Sequence, residues 1–329
     1  MTITDAADQA RNYFLRPAIG IPDTPIDAPA AWRGPDLLAH PDRWLVELSE
    51  SFVGQLGDTA DRLIADGVDL ADVTRDRFGL PGHEAMIEEC RATLTSGTGV
   101  VCLRGLPVRE WGDEKTAVAY WGLGHHLGLP GAQNPDRELL GHVKDYGEAS
   151  TSPLVRLYRT TGDIAFHCDA ADVVGLLCLR AAQEGGQSRI SSSVAVFNEF
   201  LRHDPDLVSE LFEPFAIDRR DEQRPGQSPT FSIAPCAWDG EVLRTFWHSD
   251  YMRSAERHDG VEISDRRRRA IALYDKLADS EALRFDMWLE EGDIQLISNH
   301  TVIHSRTGYV DHVDPDERRH LLRLWLSLS

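Results

Sequence analysis

The sequence predicts a mainly β fold, a sandwich or barrel, with flanking helices packed outside it. From about residue 139 onward, short apolar runs alternate with turn residues, as in LLGHVKDY at 139–146 and GDIQLISN at 292–299. Helical periodicity is concentrated in the front part of the chain and in two later segments. The 329 residues contain no glycine-rich phosphate loop of the P-loop or dinucleotide-binding type, which excludes the commonest nucleotide-using enzymes.

The front of the chain predicts an arm followed by helices. Residues 1–40, rich in Pro, Ala and Asp, predict an extended arm that wraps around the core. Residues 42–67 keep a mostly helical apolar period, and further helices are expected at about 84–96 and 114–128. Between these two helices, GVVCLRGLP at 99–107 predicts a short buried strand.

The rest of the chain predicts strands interrupted by two helices. Besides the two runs quoted above, the expected strands are LVRLYRT at 154–160, FHCDAADVVGLLCLR at 166–180, a hairpin over 238–250 with an Asp-Gly turn at 239–240, and RHLLRLWLSLS at 319–329. The two helices are expected at about 194–214 and 263–280. Helices at the front and in two insertions would therefore cover a β core.

Composition limits the classes of partner. The formal net charge of −20 argues against nucleic acid, because phosphate binding needs a basic face. The N-terminus has early acidic residues and no apolar segment typical of a signal peptide, and no window has the roughly 18 apolar residues of a membrane helix. Five cysteines without CxxC spacing fit free thiols in a reducing compartment. We expect a cytoplasmic protein that binds a small molecule, with an oligomer possible.

A His-x-Asp pair interrupts the apolar segment at 166–180. His167 and Asp169 share one face of an extended chain, and they are either solvated strand-edge residues or two-thirds of a metal site. Chance predicts about two His-x-acid pairs in this composition, and the sequence has four. Those at His40 and His312 lie in polar segments, which leaves the pair beginning at His248, at the end of a strand, as the serious competitor.

A third ligand would complete a metal site of known chemistry. Two histidines and one carboxylate bind Fe(II) from one side and leave three positions for a co-substrate and oxygen. The segment GDIQLISNHTVIHSR offers His304 after a buried strand and His300 at the bend before it. We take His304 as the ligand because His300 lies at the bend itself, and keep His300 as the alternative.

The last strand carries two arginines. Arg319 and Arg323 are four residues apart in RHLLRLWL, so both point to one face of the strand. Burying two guanidinium groups without anions would be costly. This face therefore meets carboxylates, which belong either to this acidic protein or to a ligand that the planar guanidinium groups bind.

These residues, in this order, resemble the taurine dioxygenase (TauD/TfdA-like, clavaminate-synthase-like) family of Fe(II)- and 2-oxoglutarate-dependent oxygenases. The resemblance runs from about residue 95 to the end and includes FHCD, VVGLLCLR, the Gly-Gly-Gln-Ser turn at 185–188, HSRTGY and RRHLLR. It implies a double-stranded β-helix (jelly-roll) core over residues 96–329. Residues 1–95 would form an N-terminal arm and helices packed on that core, in one compact domain overall.

The resemblance also implies a set of binding residues. His167, Asp169 and His304 would be the catalytic metal ligands for Fe(II). Arg319 would hold the distal carboxylate of 2-oxoglutarate with help from the hydroxyl of Ser188. Iron, the 2-oxo acid and O2 would together supply the oxidising chemistry.

Substrate contacts are expected from five further residues. The resemblance implies that Arg323 binds an acidic group of the main substrate. Arg156 and Asp163, just before the metal strand, and Tyr251 and Arg253, after the strand ending in HSD, are candidates to line the mouth of the barrel. For these four the alternative is an ordinary solvated loop residue.

The expected reaction is oxidation, chiefly hydroxylation, of an unactivated C–H bond in a small polar substrate such as an amino acid or another carboxylate. Succinate and CO2 would be released. Desaturation or oxidative cyclisation in natural-product biosynthesis would use the same cofactors. A mononuclear metal hydrolase, or a non-catalytic barrel with a structural metal, is the alternative from another class.

Overall fold

The structure, a computed structural model, describes residues 6–133, 137–148 and 156–328. The α-helices in the described residues are α1 (Ala6–Phe14), α2 (Gly34–Ala39), α3 (Glu50–Ala65), α4 (Glu84–Ser96), α5 (Val108–Leu127), α6 (Ser193–His203), α7 (Ser249–Ser254) and α8 (Asp265–Ala278). Short 3-10 helices lie at Pro41–Arg43, Leu70–Asp72, Leu157–Arg159, Pro205–Phe212, Ala255–Arg257 and Pro315–Glu317.

The strands described are β1 (Leu45–Glu47), β2 (Val100–Arg104), β3 (Leu129–Gly131), β4 (Gly141–Val143), β5 (Ile164–His167), β6 (Val173–Arg180), β7 (Glu184–Gly185), β8 (Ser188–Ser192), β9 (Phe215–Asp218), β10 (Thr230–Ile233), β11 (Cys236–Trp238), β12 (Leu243–Thr245), β13 (Arg284–Met287), β14 (Ile294–Ser298), β15 (Val302–Arg306), β16 (Tyr309–Val310) and β17 (His320–Ser327).

Two sheets form the centre of the fold. The larger sheet has the order β1-β2-β14-β6-β17-β3, and β4 also pairs with β17. The smaller sheet has the order β13-β8-β15-β5. All pairs in the two sheets are antiparallel except β1 with β2. Three two-stranded ribbons, β9/β10, β11/β12 and β7/β16, lie outside them.

Strand β6 shows how the larger sheet is covered on both faces. Val173 and Leu177 pack into a core cluster with residues of α3, α4 and α5. The alternate residues Val174 and Leu176 line a cavity that the smaller sheet also lines. Because successive side chains of a strand point to opposite faces, a run that is apolar at every position fits a strand buried on both sides.

The arrangement of two sheets with helices outside fits the predicted jelly-roll core, but the chain is not mainly β. Helices contain more residues than strands do. The sequence analysis underestimated helix because α1 and α2 form within residues 1–40, where an extended arm was predicted. Their stability depends on packing against the rest of the protein, which local periodicity does not reveal.

The helix predicted over 42–67 is wrong in its first part. A 3-10 turn is followed by β1, which pairs in parallel with β2, and α3 begins only at Glu50. The hydroxyl of Ser49 accepts a hydrogen bond from the Phe52 N–H at 3.2 Å and caps the helix. The segment around Trp44 and Leu45, which the apolar spacing predicted as the first helical turns, therefore forms an edge strand. The helix starts only after the cap at Ser49.

Two predicted strands of the middle region also differ. Within 154–160, the structure describes residues from 156 onward, and these form a 3-10 helix at Leu157–Arg159 instead of a strand. The segment 166–180 is not one strand, because His167 ends β5 in the smaller sheet and β6 begins at Val173 in the larger sheet. The chain therefore crosses between the sheets immediately after the first candidate ligand.

Several predicted elements are confirmed. Helix α4 has the predicted bounds, and β2, β14 and β17 lie within the predicted strands. The Asp-Gly hairpin forms between β11 and β12. The helix predicted at 114–128 corresponds to the regular part of α5, which begins earlier and kinks at Gly112, where φ is 73°.

The N-terminal segment shares a core with the rest of the chain. Phe52, Leu56 and Leu63 of α3 belong to the same apolar cluster as Leu177 of β6 and Leu322 of β17. The division at residue 95 and the single compact domain stay predictions. The five cysteines are all buried and unpaired. In the part of the chain that is described, no helix is both long and apolar enough to cross a membrane.

Candidate active site

Three candidate metal ligands converge at one end of the smaller sheet. His304 of β15 pairs directly with His167 of β5 in the antiparallel register, and Asp169 follows two residues after His167. One ligand atom from each of the three lies within 4.8 Å of the others. The ring centroids of the two histidines are 4.2 Å apart. The distant sequence positions are thus brought together by one strand pairing.

Neighbouring groups orient these ligands. The His167 ring places Nδ1 2.9 Å from the Ala165 carbonyl oxygen, so Nδ1 carries the proton and Nε2 is left for a metal. The backbone N–H of Asp169 donates to Asn299 Oδ1 at 3.2 Å. The indole N–H of Trp325 donates to Asp169 Oδ2 at 3.1 Å. Such supporting bonds fix the direction in which a ligand presents its lone pairs.

The protonation states suit metal binding. Burial opposes ionisation of Asp169, but the Arg323 guanidinium and the two histidines outweigh it and hold the pKa of the carboxyl below its usual range. Burial, followed by the nearby His167, lowers the pKa of His304 to about 3. A carboxylate and a neutral imidazole are the forms that bind metals, so no proton has to be displaced from either near neutral pH.

The three residues open onto a cavity between the two sheets. Its apolar side comes from the larger sheet, with Val174, Leu176 and Leu321 in the wall. Its polar side includes Ser188 from β8 and Arg306 from β15. The site therefore combines a metal-binding cluster with an enclosed, partly apolar space, as small-molecule sites generally do.

Arg319 lies in the wall of this cavity, and no described residue gives it an anionic partner. It is buried, and its Nη1 atom makes no hydrogen bond. Burial lowers the pKa of the guanidinium from its ordinary value. A side-chain carbon at Gly186, where φ is 73°, would lie 3.1 Å from Arg319 Nε, so the glycine turn leaves room for this side chain. Of the two sources of carboxylate that the sequence left open, a side-chain carboxylate of the protein is absent at Arg319 in the described residues.

Ser188 lies in the same cavity wall but is already engaged. Its hydroxyl donates to Gln295 Oε1 at 2.9 Å. The hydroxyl would have to rotate to donate to a ligand, whereas its oxygen can accept in the present orientation.

Arg323 faces the cavity beside Asp169. Its Nε–H donates to Gln133 Oε1 at 2.7 Å, and Nη1 lies 3.7 Å from Asp169 Oδ1. The guanidinium carbon is 4.7 Å from the centre of the Tyr158 ring and 4.9 Å from that of Trp325. Arg319, immediately before β17, and Arg323 within it both line the cavity.

Four of the five expected substrate contacts do not line the cavity, and two of these are arginines. Arg156 forms a two-contact ion pair with Glu222 at 2.7 and 2.5 Å. Arg253 is exposed and pairs with Asp275 at 2.6 Å. These predictions fail because nearby carboxylates of an acidic surface hold both guanidinium groups.

Asp163 and Tyr251 also have other contacts. Asp163 is exposed, and its Oδ1 accepts the Gly308 N–H at 2.9 Å, which makes it a turn residue instead of a cavity residue. Tyr251 stacks on His248, with ring centroids 3.6 Å apart, and the ring centre of His248 is 5.1 Å from that of His167. Tyr251 is therefore separated from the candidate ligand His167 by the His248 ring.

The other two histidines considered as metal ligands, His248 and His300, have different surroundings. His248 is half-buried next to His167, but Asp250 does not join it in a ligand cluster with a third residue in the described chain. His300 places Nε2 2.7 Å from Asp172 Oδ1 and stacks on Tyr13. Because these contacts hold the His300 ring in a structural role, they favour His304 as the distal ligand.

The sequence analysis missed four residues of the site. Trp325 was not among the expected site residues, although it lies two residues after Arg323 on the same strand and contacts Asp169. Arg306 stands two residues after His304, which is the same strand face. Gln133 and Asn299 carried no comparable signal, because turns and loops bring them to the site.

Comparisons with known proteins identify the family of the chain. Residues 70–325 match the family described as "Taurine catabolism dioxygenase TauD, TfdA family". FR-33289 synthase of Streptomyces rubellomurinus (strain ATCC 31215) is 28% identical over 291 residues, which cover 87% of this chain and 86% of that protein. Uridine-5'-phosphate dioxygenase of Amycolatopsis sp is 28% identical over 204 residues, 56% of this chain and 70% of that protein.

A solved structure has a similar fold. It is an asparagine oxygenase in complex with Fe(II), 2S,3S-3-hydroxyasparagine and succinate, with a TM-score of 0.71 and 17% sequence identity. The similarity covers 86% of this chain and 93% of that one. The family match confirms the family predicted from the sequence. The chain therefore belongs to the taurine catabolism dioxygenase TauD, TfdA family and is an Fe(II)- and 2-oxoglutarate-dependent dioxygenase.

Proposed function

We propose that this protein hydroxylates an unactivated C–H bond of a small polar substrate, an amino acid or another carboxylate, with release of succinate and CO2. One observation carries the proposal: the His167, Asp169 and His304 cluster opens onto a cavity with inward-facing arginines. The jelly-roll topology that we propose for the two sheets would place this cluster inside the β core.

The residues present fit the metal. Two imidazole nitrogens and one carboxylate oxygen are the donor set of the facial triad that binds Fe(II) with open positions. We assign His167, Asp169 and His304 as its ligands. The Trp325 indole holds Asp169 in place, and a protonated Nδ1 turns Nε2 of His167 towards the metal.

When bound, Fe(II) and 2-oxoglutarate react with O2 to supply the oxidising chemistry. The chain's own residues bind and orient the reactants. Arg319, which has no carboxylate partner among the described residues, would hold the distal carboxylate of 2-oxoglutarate. Ser188 would donate a hydrogen bond to that carboxylate once its hydroxyl turns away from Gln295. The apolar walls at Val174, Leu176 and Leu321 would exclude water during the reaction.

Arg323 is the residue that we assign to the main substrate. Its contact with Gln133 fixes the side chain, and its guanidinium lies near Asp169. An anionic group held here would keep the rest of a small substrate close to the metal. The similar asparagine oxygenase is solved with a hydroxylated amino acid and succinate, and uridine-5'-phosphate dioxygenase is named for an anionic substrate, which supports this class of ligand.

Replacing Arg323 by glutamine should raise the KM for the main substrate by about 10- to 100-fold, the effect of losing a hydrogen bond to a charged group. Substrate-independent consumption of 2-oxoglutarate should persist, because iron and the co-substrate would keep their ligands. Steady-state kinetics with each reactant varied in turn measures both effects. A variant with an unchanged KM for the main substrate would refute the assignment of Arg323.

Family membership favours an oxygenase over the metal hydrolase and the non-catalytic barrel. Desaturation or cyclisation by the same cofactors is distinguished by the product, because hydroxylation adds the mass of one oxygen atom whereas the other two remove two hydrogens. Mass spectrometry of the product therefore decides between these outcomes.

A screen of small carboxylates and amino acids for stimulated succinate release tests the proposed function. The iron-loaded protein should release succinate in the presence of 2-oxoglutarate and O2, and one class of anionic compound should accelerate the release. The variant Asp169→Ala, measured in parallel, should show no acceleration. If the wild-type protein never forms succinate from 2-oxoglutarate, the proposed function is wrong.

A further inference from the structure

Arg306 occupies a special position in the cavity. It is the last residue of β15 and lies two positions after His304, so the two side chains share one face of the strand. The antiparallel register pairs Arg306 with Ser188 of β8. Directly paired residues of neighbouring strands have adjacent side chains, and both residues line the cavity.

The guanidinium of Arg306 has hydrogen-bond donors without partners. Its Nη2 donates to the carbonyl oxygen of Thr160 at 2.9 Å and to that of Gly162. Nε and Nη1 are buried and make no hydrogen bond, and Nη1 of Arg319 is in the same condition. Within the described ranges, no carboxylate oxygen comes within 4.0 Å of either guanidinium.

The two arginines lie near each other. Both contact the ring of Tyr309, whose centre is 4.7 Å from the guanidinium carbon of Arg306 and 5.0 Å from that of Arg319. Two buried like charges repel, and buried N–H groups without acceptors are costly. Both costs are removed when one anion lies between or beside the two guanidinium groups.

We propose that Arg306 is a second guanidinium for the distal carboxylate of 2-oxoglutarate, binding it together with Arg319. This role rests on the proposed function and deepens it. The main substrate is a poorer candidate for the ligand of Arg306. Arg323, which we assign to the main substrate, lies beside Asp169 and contacts Gln133 and Trp325. Arg306 instead lies beside Ser188 and contacts the same tyrosine ring as Arg319, so it belongs to the co-substrate end of the cavity.

The bonds of Nη2 give Arg306 a fixed direction. Anchoring one nitrogen to two backbone carbonyls restricts the long side chain, so less conformational entropy is lost when the remaining N–H groups bind an anion. The same bonds mean that a substitution could disturb the loop at Thr160 and Gly162. A test must therefore separate carboxylate binding from a merely structural role.

The test compares two 2-oxo acids. Equilibrium binding of 2-oxoglutarate and of 2-oxobutyrate, which lacks the distal carboxylate, is measured by titration of the iron-loaded protein without oxygen. The variant Arg306→Gln should weaken 2-oxoglutarate binding by about 10- to 100-fold, as expected for loss of a charged hydrogen-bond donor. The affinity for 2-oxobutyrate should change by less than about threefold, because no distal carboxylate is present to lose the contact.

Arg189→Gln is a matched control. Arg189 follows Ser188 on β8, but its guanidinium points to the other side and pairs with Asp279 and Asp286. This variant should bind both 2-oxo acids like the wild-type protein. Iron content and the thermal unfolding temperature are measured for every variant, so that a loss of fold is seen directly.

The outcomes separate the proposals. If wild-type protein does not bind 2-oxoglutarate, the proposed function fails. The assignment of Arg306 is overturned, while the proposed function stands, if wild-type protein binds 2-oxoglutarate and Arg306→Gln binds it equally well. The same holds if Arg306→Gln loses affinity for both 2-oxo acids equally.

If Arg306→Gln does not fold, Arg306→Lys replaces it. This variant should also lose affinity selectively for 2-oxoglutarate, by a smaller factor. If its affinities for 2-oxoglutarate and for 2-oxobutyrate fall by the same factor relative to wild type, the assignment is overturned.

Discussion

Replacing His304 by alanine should abolish iron binding and succinate release. His304 supplies one of the three ligand atoms that lie within 4.8 Å of one another, and its imidazole is neutral near pH 7. Loss of a residue that only supports a metal ligand typically costs 10- to 100-fold in metal affinity, so loss of a direct ligand should cost more than about 100-fold. Iron content after anaerobic reconstitution and gel filtration measures the effect.

His300→Gln is the control for this substitution. His300 lies four residues before His304 and contacts Asp172, and glutamine can keep a hydrogen bond to that carboxylate. This variant should retain iron and activity close to wild type. If His300→Gln loses iron and His304→Ala keeps it, the distal ligand has been assigned to the wrong histidine.

Replacing Arg319 by glutamine should weaken 2-oxoglutarate binding by about 100-fold and leave the iron content unchanged. The side chain is buried in the cavity wall and has no carboxylate partner in the described residues, so the co-substrate would be the main acceptor for its N–H groups. Titration of the iron-loaded variant without oxygen measures the affinity. Unchanged affinity would show that the distal carboxylate binds elsewhere.

The same substitution should not destabilise the protein that lacks co-substrate. A buried guanidinium without a partner costs free energy in the folded state, and residues kept for binding are often unfavourable for stability. Arg319→Gln should therefore unfold at the same or a higher temperature than wild type in the absence of 2-oxoglutarate. Added 2-oxoglutarate should raise the unfolding temperature of the wild-type protein more than that of the variant. A large loss of stability in the unliganded variant would indicate a structural role for Arg319.

The candidate site was largely predictable because its chemistry depends on spacing within strands. A period of two singled out the pair His167 and Asp169 and the pair Arg319 and Arg323, although Asp169 lies beyond the end of β5 and Arg319 precedes β17. The choice of His304 over His300 needed only the position of the bend. Trp325 obeys the same alternation, so its contact with Asp169 could have been predicted from the strand as well.

The parts that could not be predicted depend on contacts between distant segments. Trp44 and Leu45 fit a helical period, yet β1 forms because β2 offers an edge to pair with. Arg253 was considered for the cavity mouth, but α8 brings Asp275 to it. Gln133 lies two residues after β3 and contacts Arg323, and no local pattern in the sequence indicates this contact.

The transition between the sheets explains why the first two ligands stand where they do. His167 ends β5 in the smaller sheet, and six residues later β6 starts in the larger sheet. Asp169 lies in this crossing, where its carboxylate can meet His304 from one sheet and Trp325 from the other. The apolar run after it, which first suggested a continuous strand, instead builds the opposite wall of the cavity.

The most direct measurement is an anaerobic titration of the iron-loaded protein with 2-oxoglutarate, followed by visible absorption. Coordination of the 2-oxo acid by ferrous iron at His167, Asp169 and His304 predicts a metal-to-ligand charge-transfer band that saturates at one equivalent of 2-oxoglutarate per iron. The band should be absent in His304→Ala. A well-folded, iron-loaded wild-type protein that develops no such band would contradict the assignment of this cavity as an iron and 2-oxoglutarate site.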